Sequence, residues 1–203
     1  RKKILATEKI LMEIKRNHDS ELSQSSVFTE EQIWQKHAFV NANLLYLVAA
    51  TDGYDDYVGH SFLVAKYTRM LTKALGIKDG EFLMDIERGA LLHDIGKIGI
   101  PEAILRKKSP LTEIEYEVVK EHPVLGFQII KKCDFLKNAS GVVLYHHERY
   151  DGKGYPYGLK ADGIPLEARI FSIADTLDAI TSDRTYRKGK SFRDAQNEIL
   201  KDS

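Results

Sequence analysis

The segment Leu91–Pro101, LLHDIGKIGIP, constrains this chain more than any other stretch of its sequence. It places His93 beside Asp94, with Lys97 one helical turn further on, between an apolar helix and a Gly/Pro break. An imidazole can bind one metal ion, and a carboxylate can bridge two neighbouring ions through its two oxygens. An isolated His-Asp pair more often caps a helix or faces solvent, because short motifs match by chance. Residues elsewhere in the chain must decide between these two interpretations.

Apolar residues recur at helical spacing along most of the chain, and this pattern predicts an all-α fold. Asp79 is a predicted N-cap for the helix that leads to His93, and Thr112 with Glu115 has the sequence of a capping box. We find no strand-like alternation, so we predict a helical bundle interrupted by one long loop. This loop, Arg149–Pro165, is rich in glycine and proline. Long loops within compact domains are usually functional.

Length and composition fit one globular domain with additional helices in front of it. The chain has 203 residues, of which 43% are hydrophobic and 30% are charged, which allows a substantial core. We predict N-terminal helices over residues 1–50, formed by a connector from an upstream sensor or receiver domain and a packing helix. The main domain is predicted over residues 51–203, with its C-terminal helices truncated. The first helix could equally pack on its own domain or form a coiled-coil seam in a homodimer.

Charge and cysteine usage exclude several classes of protein. Lys and Arg together number 30, as do Asp and Glu, so net charge does not favour binding to a nucleic acid polymer or an anionic membrane. Cys133 is the single cysteine, which excludes an intrachain disulfide and fits a reducing compartment. No stretch reaches the roughly 18 apolar residues of a membrane span, and no signal peptide is apparent. We therefore expect a cytoplasmic protein.

Five of the seven histidines stand at predicted helix ends or beside a structural break. Asp175 lies on the apolar face of a predicted core helix, where a carboxylate is costly unless it is paired or bound to a metal. Asp56 precedes His60 by four residues, so both side chains can reach one site. Helical bundles build di-metal sites from such side chains on facing helices. The candidate ligands are His60, His93, Asp94, His122, His146, His147 and Asp175.

The order of these residues resembles that of HD-GYP domains, which are bacterial cyclic di-GMP phosphodiesterases of the HD superfamily. The resemblance also includes the loop sequence HHERYDGKGYP, the segment LRKKSPLTEIEYEVVKEHPVLG and the tail DTLDAITSDRTYR. It covers roughly residues 55–190. Several independent motifs therefore occur in the right order, and the resemblance implies the HD-type helical bundle with its long loop near a metal site.

The resemblance implies two divalent metal ions, with Asp94 bridging them. Some members of the family bind a third ion through a glutamate at the position of Asp56, whose side chain is one methylene shorter. We expect iron or manganese, with nickel, cobalt and zinc as alternatives that His/Asp ligands also accept. One ion is expected at His60, His93, Asp94 and Asp175, and the other at His122, His146, His147 and Asp94.

The resemblance also implies a ligand groove beside the metals. Lys97 is expected near a scissile phosphate oxygen, and Tyr155 could stack on a guanine or bond a phosphate. Arg184 and Arg187 could each hold a phosphate or a guanine edge through a planar guanidinium. Thr185 stands where the family usually has proline. The groove residues that the resemblance implies are Gly154, Tyr155, Pro156, Asp178, Arg184 and Arg187.

The predicted activity is hydrolysis of cyclic di-GMP to linear pGpG, with GMP as a further product if the linear dinucleotide stays bound. We expect in-line attack by a metal-bridging hydroxide, with Asp94 and Lys97 as catalytic residues. One alternative is a catalytically weak module that binds cyclic di-GMP and transmits a signal. Another is an HD phosphohydrolase of a mononucleotide or an alarmone. The complete ligand set favours an enzyme, and the loop Arg149–Pro165 argues against the last alternative.

Overall fold

The computed structural model describes residues 59–183 and 188–201, together with residues 44, 48 and 51. All regular elements within these residues are helical, which confirms the predicted all-α class. Asp56, Arg184 and Arg187 lie outside the described residues. The predicted N-terminal helices also lie outside them, except for residues 44 and 48. The α-helices of the described part are α1 (His60–Ala74), α2 (Gly80–Leu92), α3 (Glu102–Leu105), α4 (Glu113–Val119), α5 (His122–Ile130), α6 (Ser140–Tyr145), α7 (Leu166–Thr181) and α8 (Phe192–Lys201).

Two helices begin at the predicted caps. The Asp79 carboxylate accepts hydrogen bonds from the backbone N–H groups of Glu81 at 2.9 Å and Phe82 at 3.2 Å, at the start of α2. Thr112 and Glu115 form a reciprocal capping box at the start of α4. Such caps satisfy backbone donors that have no partner within the helix. Helix α2 then runs without interruption to Leu92, and His93 is its C-terminal cap.

The hydrophobic core lies between α1, α2, α5, α6 and α7. Its most buried side chains come from all five helices, and the largest of them is Phe171. The Phe171 ring also lies 4.9 Å from the ring of His93 and 5.8 Å from the ring of His146. The core therefore forms an apolar floor under the histidines. Representative core residues are Val64, Ile86, Leu92, Ile129, Val142 and Phe171.

Gly96 allows the turn after the His-Asp pair to lie directly on the start of α5. This glycine belongs to a short 3₁₀ helix, Ile95–Gly99. A Cβ atom at Gly96 would overlap the carbonyl oxygen of His122 and come within 2.5 Å of the backbone nitrogen of Gly126. No larger residue fits there without movement of the backbone. The contact brings Asp94 beside His122, although 28 positions of sequence separate them.

None of the helices in the described part of the chain combines the length and the apolar character that a membrane crossing requires.

Candidate metal centre

Three histidines occupy helix ends and share the same contact with the backbone. His93 follows α2 and His146 follows α6, whereas His122 lies three residues beyond the end of α4 and is the first residue of α5. Each ring donates from Nδ1 to the carbonyl oxygen three residues earlier, because a carbonyl can only accept. Carbonyls in the last turn of a helix lack intrahelical partners, and these bonds satisfy them while fixing the rings. The acceptors are Ala90 at 2.8 Å, Val119 at 2.7 Å and Val143 at 3.0 Å.

The Nε2 atoms of the same rings converge on the two oxygens of Asp94. Oδ2 lies 3.1 Å from His93 Nε2, while Oδ1 lies 3.2 Å from His122 Nε2 and 3.9 Å from His146 Nε2. The carboxylate therefore separates the histidines into two groups, one at each oxygen. This division is the geometry that a bridging ligand requires.

The donor set at Oδ1 fits a divalent cation. His122 Nε2 and His146 Nε2 are 3.1 Å apart, and a ring that is protonated at Nδ1 alone presents a lone pair at Nε2. Lone pairs that face each other and a carboxylate repel unless a cation lies between them. One ligand atom from each of Asp94, His122, His146 and His147 lies within 4.8 Å of the others. These four residues could hold one metal ion.

Burial and neighbouring charges set the protonation of the centre. Burial opposes the charged form of His93, but the Asp94 carboxylate outweighs it and raises the pKa of His93 to about 9. Burial also opposes the charged form of Asp94, yet His93 and Lys97 hold the pKa of this carboxyl well below its usual range. Burial and the neighbouring imidazoles lower the pKa of His146 well below its usual value and that of His147 to about 3. His146 and His147 are therefore neutral at pH 7, as metal ligands must be.

His60 and Asp175 lie on the same side of the centre as His93, which contacts Oδ2 of Asp94. The rings of His60 and His93 have their centroids 5.4 Å apart. His60 Nε2 is 3.4 Å from Asp175 Oδ1, and the side chain of Asp175 remains 34% exposed. Helix α7 thus brings Asp175 to the first residue of α1. The structure brings together all the predicted metal ligands that lie among the described residues.

Asp178 does not lie in a groove, contrary to the prediction for this residue. Its side chain is 0% exposed, because α7 packs this face against α1. Asp178 Oδ2 accepts a hydrogen bond of 2.7 Å from His60 Nδ1, and Oδ1 accepts one of 2.7 Å from Ser182 Oγ. The carboxylate therefore orients the His60 ring through Nδ1 and turns Nε2 towards Asp175. A direct contact between Asp178 and a substrate is excluded by its burial.

Lys97 lies beside Asp94, where the resemblance implies a lysine. Its ammonium is 2.6 Å from Asp94 Oδ2, and its side chain is largely buried. A lysine in this position adds positive charge next to the oxygen that faces His93 and His60. It can therefore stabilise negative charge on a ligand held at the same place.

The long loop folds back on the residues that precede it and places Tyr155 over the histidines. A Cβ atom at Gly154 would overlap the backbone of His147–Arg149, so only glycine permits this approach. The Tyr155 N–H donates to the carbonyl oxygen of His147 at 3.2 Å, and the Tyr155 ring stacks on the His147 ring at a centroid distance of 4.6 Å. The Tyr155–Pro156 peptide bond is cis. Gly154 thus shapes the segment that presents Tyr155.

Glu148 belongs to this region but was not predicted. The residue is 3% exposed, and its two side-chain oxygens accept the backbone N–H groups of Tyr157 and Leu159 in the loop, each at 2.8 Å. A carboxylate immediately before a long loop is the signal that could have identified it, because loop N–H groups need acceptors when they are buried.

The fold and the centre define an HD domain, and the comparison with known families agrees. The model of the family described as HD domain matches residues 20–203, so the chain belongs to the HD domain family. Within that family it is of the HD-GYP type, which confirms the resemblance found in the sequence.

Three relatives illustrate this relationship. A cyclic di-GMP phosphodiesterase of Thermotoga maritima is 39% identical over 142 residues, covering 69% of this chain and 38% of the relative. The cyclic di-GMP phosphodiesterase response regulator RpfG of Xanthomonas campestris is 44% identical over 121 residues, covering 59% of this chain and 32% of the relative. The 3'3'-cGAMP-specific phosphodiesterase 3 of Vibrio cholerae is 42% identical over 129 residues, covering 64% and 28%. The chain thus spans roughly a third of the length of these curated relatives.

Two solved structures share the fold. Bd1817, a HDG"Y"P protein from Bdellovibrio bacteriovorus, superposes with a TM-score of 0.59 at 18% identity, covering 95% of this chain and 64% of that protein. The HD domain of the L. monocytogenes phosphodiesterase PgpH, in complex with cyclic-di-AMP, superposes with a TM-score of 0.57 at 21% identity, covering 78% and 81%. These structures confirm the HD-type helical bundle.

Proposed function

We propose that this domain hydrolyses a phosphodiester bond of cyclic di-GMP and releases linear pGpG, with GMP as a further product when the linear dinucleotide stays bound. The observation that carries the proposal is the convergence of His93, His122 and His146 on the two oxygens of Asp94. The relatives named cyclic di-GMP phosphodiesterases support the choice of substrate.

The proposed cofactors are two divalent transition-metal ions. His60, His93 and Asp175 would hold one ion with Asp94, and His122, His146 and His147 would hold the other with Asp94. When bound, two such ions activate a water molecule and neutralise the phosphate oxygens. Nitrogen and oxygen donors suit iron or manganese, and nickel, cobalt and zinc are the alternatives. A third ion would use Asp56.

The protein would bind the reacting phosphate and screen its charge with its own side chains. The Lys97 ammonium, next to Asp94, is placed to offset charge that develops on the phosphate or on the leaving oxygen. Burial raises the pKa of Tyr155 above its usual value, so its hydroxyl stays protonated and can donate to a phosphate. One face of the Tyr155 ring already stacks on His147, which favours this donor role over stacking on a guanine through that face. Arg184 and Arg187 are proposed to hold a second phosphate or a guanine edge.

One assay tests the proposal and its competitors. Anaerobically purified protein loaded with Mn²⁺ or Fe²⁺ is incubated with cyclic di-GMP, alongside the variants Asp94→Ala and Asp162→Asn. We expect conversion by the wild type and by Asp162→Asn, whose side chain is 86% exposed, and none by Asp94→Ala. Tight binding without turnover would instead support the signalling module. Elemental analysis that finds fewer than about two ions per chain would contradict the two-metal centre.

The same assay tests 3'3'-cGAMP as a second candidate substrate. The relative named 3'3'-cGAMP-specific phosphodiesterase 3 is 42% identical, and phosphodiesterase 2 of the same specificity is 33% identical. Parallel incubations with 3'3'-cGAMP and cyclic di-AMP therefore establish which purine pair the domain prefers. We expect the highest kcat/KM with cyclic di-GMP, and a higher value with 3'3'-cGAMP would reassign the substrate.

We also propose that residues 1–50 connect this domain, residues 51–203, to an upstream sensor or receiver domain and take part in a homodimer. The relative RpfG is a response regulator, which supports such an arrangement. Analytical ultracentrifugation of the chain tests the dimer, and a sedimentation coefficient of a monomer at all concentrations would contradict it.

A further inference from the structure

Glu148 is a buried carboxylate to which the proposed function assigns no role. It is almost completely buried, and each of its oxygens accepts a backbone N–H group of the long loop. Oε1 accepts the N–H of Tyr157 and Oε2 accepts the N–H of Leu159, both at 2.8 Å. Burial of a carboxylate is unfavourable unless hydrogen bonds replace its hydration. Two charge-assisted bonds, one to each oxygen, are a strong form of such compensation.

These two bonds anchor the half of the loop that follows Tyr155. The half that precedes it is anchored differently, because Gly154 packs on the backbone of His147–Arg149. The Tyr155 N–H, between the two anchors, donates to the carbonyl oxygen of His147. Tyr155 is therefore fixed from both sides, and its ring is held against the ring of His147.

Consecutive residues thus serve different parts of the site. The His147 side chain lies under Tyr155 and within the cluster of candidate metal ligands. The Glu148 side chain holds the loop segment that contains Tyr157 and Leu159. A loop that is ordered before the ligand arrives does not lose conformational entropy on binding, so the affinity for the ligand is higher.

We propose that Glu148 is a positioning residue, which holds the loop so that Tyr155 stands over the metal centre and thereby sets the affinity for the cyclic dinucleotide. It acts through backbone N–H groups and touches neither ligand nor metal. The role in affinity rests on the proposed function, whereas the anchoring of the loop can be measured without turnover.

The first test measures amide hydrogen exchange at Tyr157 and Leu159 in the wild type and in Glu148→Gln. A glutamine side chain has one carbonyl acceptor, and its NH₂ group would face the second N–H, so at least one bond is lost. Loss of a charge-assisted bond should accelerate exchange at these two amides about tenfold or more. Exchange at the wild-type rate would overturn the proposal.

The second test separates binding from chemistry. We expect Glu148→Gln to raise KM for cyclic di-GMP about tenfold, while kcat and metal content stay within about twofold of the wild type. Glu148→Asp keeps the charge but is shorter by one methylene, so it should restore part of the lost affinity. Loss of bound metal in Glu148→Gln would overturn the proposal, because the residue would then act through His147.

Asp79→Ala is the matched control. Asp79 also accepts two backbone N–H groups, at the end of α2 remote from His93. This variant should lower thermal stability without changing KM. If Asp79→Ala raises KM as much as Glu148→Gln does, the effect is one of general stability and the proposal is overturned. If the wild type hydrolyses no cyclic dinucleotide, the proposed function fails, while the exchange rates still decide whether Glu148 anchors the loop.

Discussion

At the scale of single residues, a histidine offers two ring nitrogens, and the surrounding protein determines which one is left for a ligand. His93, His122 and His146 use Nδ1 to bond a carbonyl three residues earlier. His60 uses Nδ1 to bond Asp178. All four rings therefore present Nε2 in a fixed orientation, and the centre is arranged before any metal binds.

Replacement of Asp178 should weaken the metal site without touching a ligand. In Asp178→Asn, one of the two donors, His60 Nδ1 or Ser182 Oγ, would face an NH₂ group instead of an oxygen. Loss of such a supporting carboxylate typically reduces metal affinity about 10–100-fold. Competition with a fluorescent chelator measures this change, and Asp162→Asn serves as the surface control. Equal affinities for Asp178→Asn and the wild type would contradict the role of Asp178.

Metal affinity should depend on pH through His93. Its pKa in the metal-free folded protein is raised to about 9, so the ring is protonated at pH 7 and a metal ion must displace that proton. Apparent affinity should therefore rise about tenfold per pH unit from pH 7 and level off near pH 9. The stabilisation of the metal-free protein by His93⁺ has the opposite trend: it is complete below the unfolded pKa near 6.5 and is lost as the pH rises through about 9.

Titration calorimetry in buffers of different ionisation enthalpy measures the proton released on metal binding. An affinity that is constant between pH 7 and pH 9, with no proton released, would contradict the assignment to His93.

The candidate ligand residues could be singled out from the sequence, whereas the partners that support them could not. Histidines and aspartates at helix ends carry their chemistry in their own side chains. Asp178 bonds His60 across 118 positions of sequence, and only the packing of α7 on α1 brings them together. The contacts of Glu148 likewise depend on the path of the loop. The contacts through which such side chains support others are therefore visible only in three dimensions.

At the scale of elements, local signals predicted helix boundaries well. Asp79 and Thr112 cap the helices expected from their sequences, because a cap depends on neighbouring residues alone. The His122-Pro123 step predicts a boundary, and the structure has α4 end at Val119 and α5 begin at His122. Proline is accommodated in the first turn of α5, where its missing N–H would have had no partner. The close contact of Gly96 with α5 was not predictable, because it depends on the tertiary arrangement.

Gly96→Ala tests this contact between elements. A methyl group would overlap the carbonyl oxygen of His122 and force the 3₁₀ helix Ile95–Gly99 away from α5. We expect a loss of about 1–3 kcal/mol in the free energy of unfolding, together with weaker metal binding. Gly80→Ala is the control, because no atom lies within 4 Å of a Cβ atom there. Denaturant unfolding measures the stability of both variants. Equal free energies of unfolding for Gly96→Ala and Gly80→Ala would contradict the close contact between the 3₁₀ helix and α5.

At the scale of the whole molecule, the candidate metal centre joins helices that are distant in sequence. Its residues come from the start of α1, the ends of α2 and α6, the start of α5 and the middle of α7. A metal ion held by several of these helices binds the folded chain far better than the unfolded chain. Bound metal should therefore stabilise the whole domain, since ligand binding to the native state shifts the unfolding equilibrium.

Removal of the metal should accordingly lower the melting temperature. At a free metal concentration of 100 times Kd, one site adds about 2.7 kcal/mol to the free energy of unfolding. Scanning calorimetry of the protein with EDTA and with Mn²⁺ measures the difference. The variant Asp94→Ala should respond much less to Mn²⁺, and an equal response would place the stabilising metal elsewhere.

Because the histidines lie at helix ends, the positions of their rings depend on the lengths of these helices. Each residue added to a helix advances its end by about 1.5 Å and rotates it by about 100°. A single insertion within α2 would therefore turn His93 away from Asp175, while an insertion between Ala74 and Asp79 would leave the rings in place. Natural length variation among such domains should consequently fall in the connecting segments and spare α2, α4 and α6.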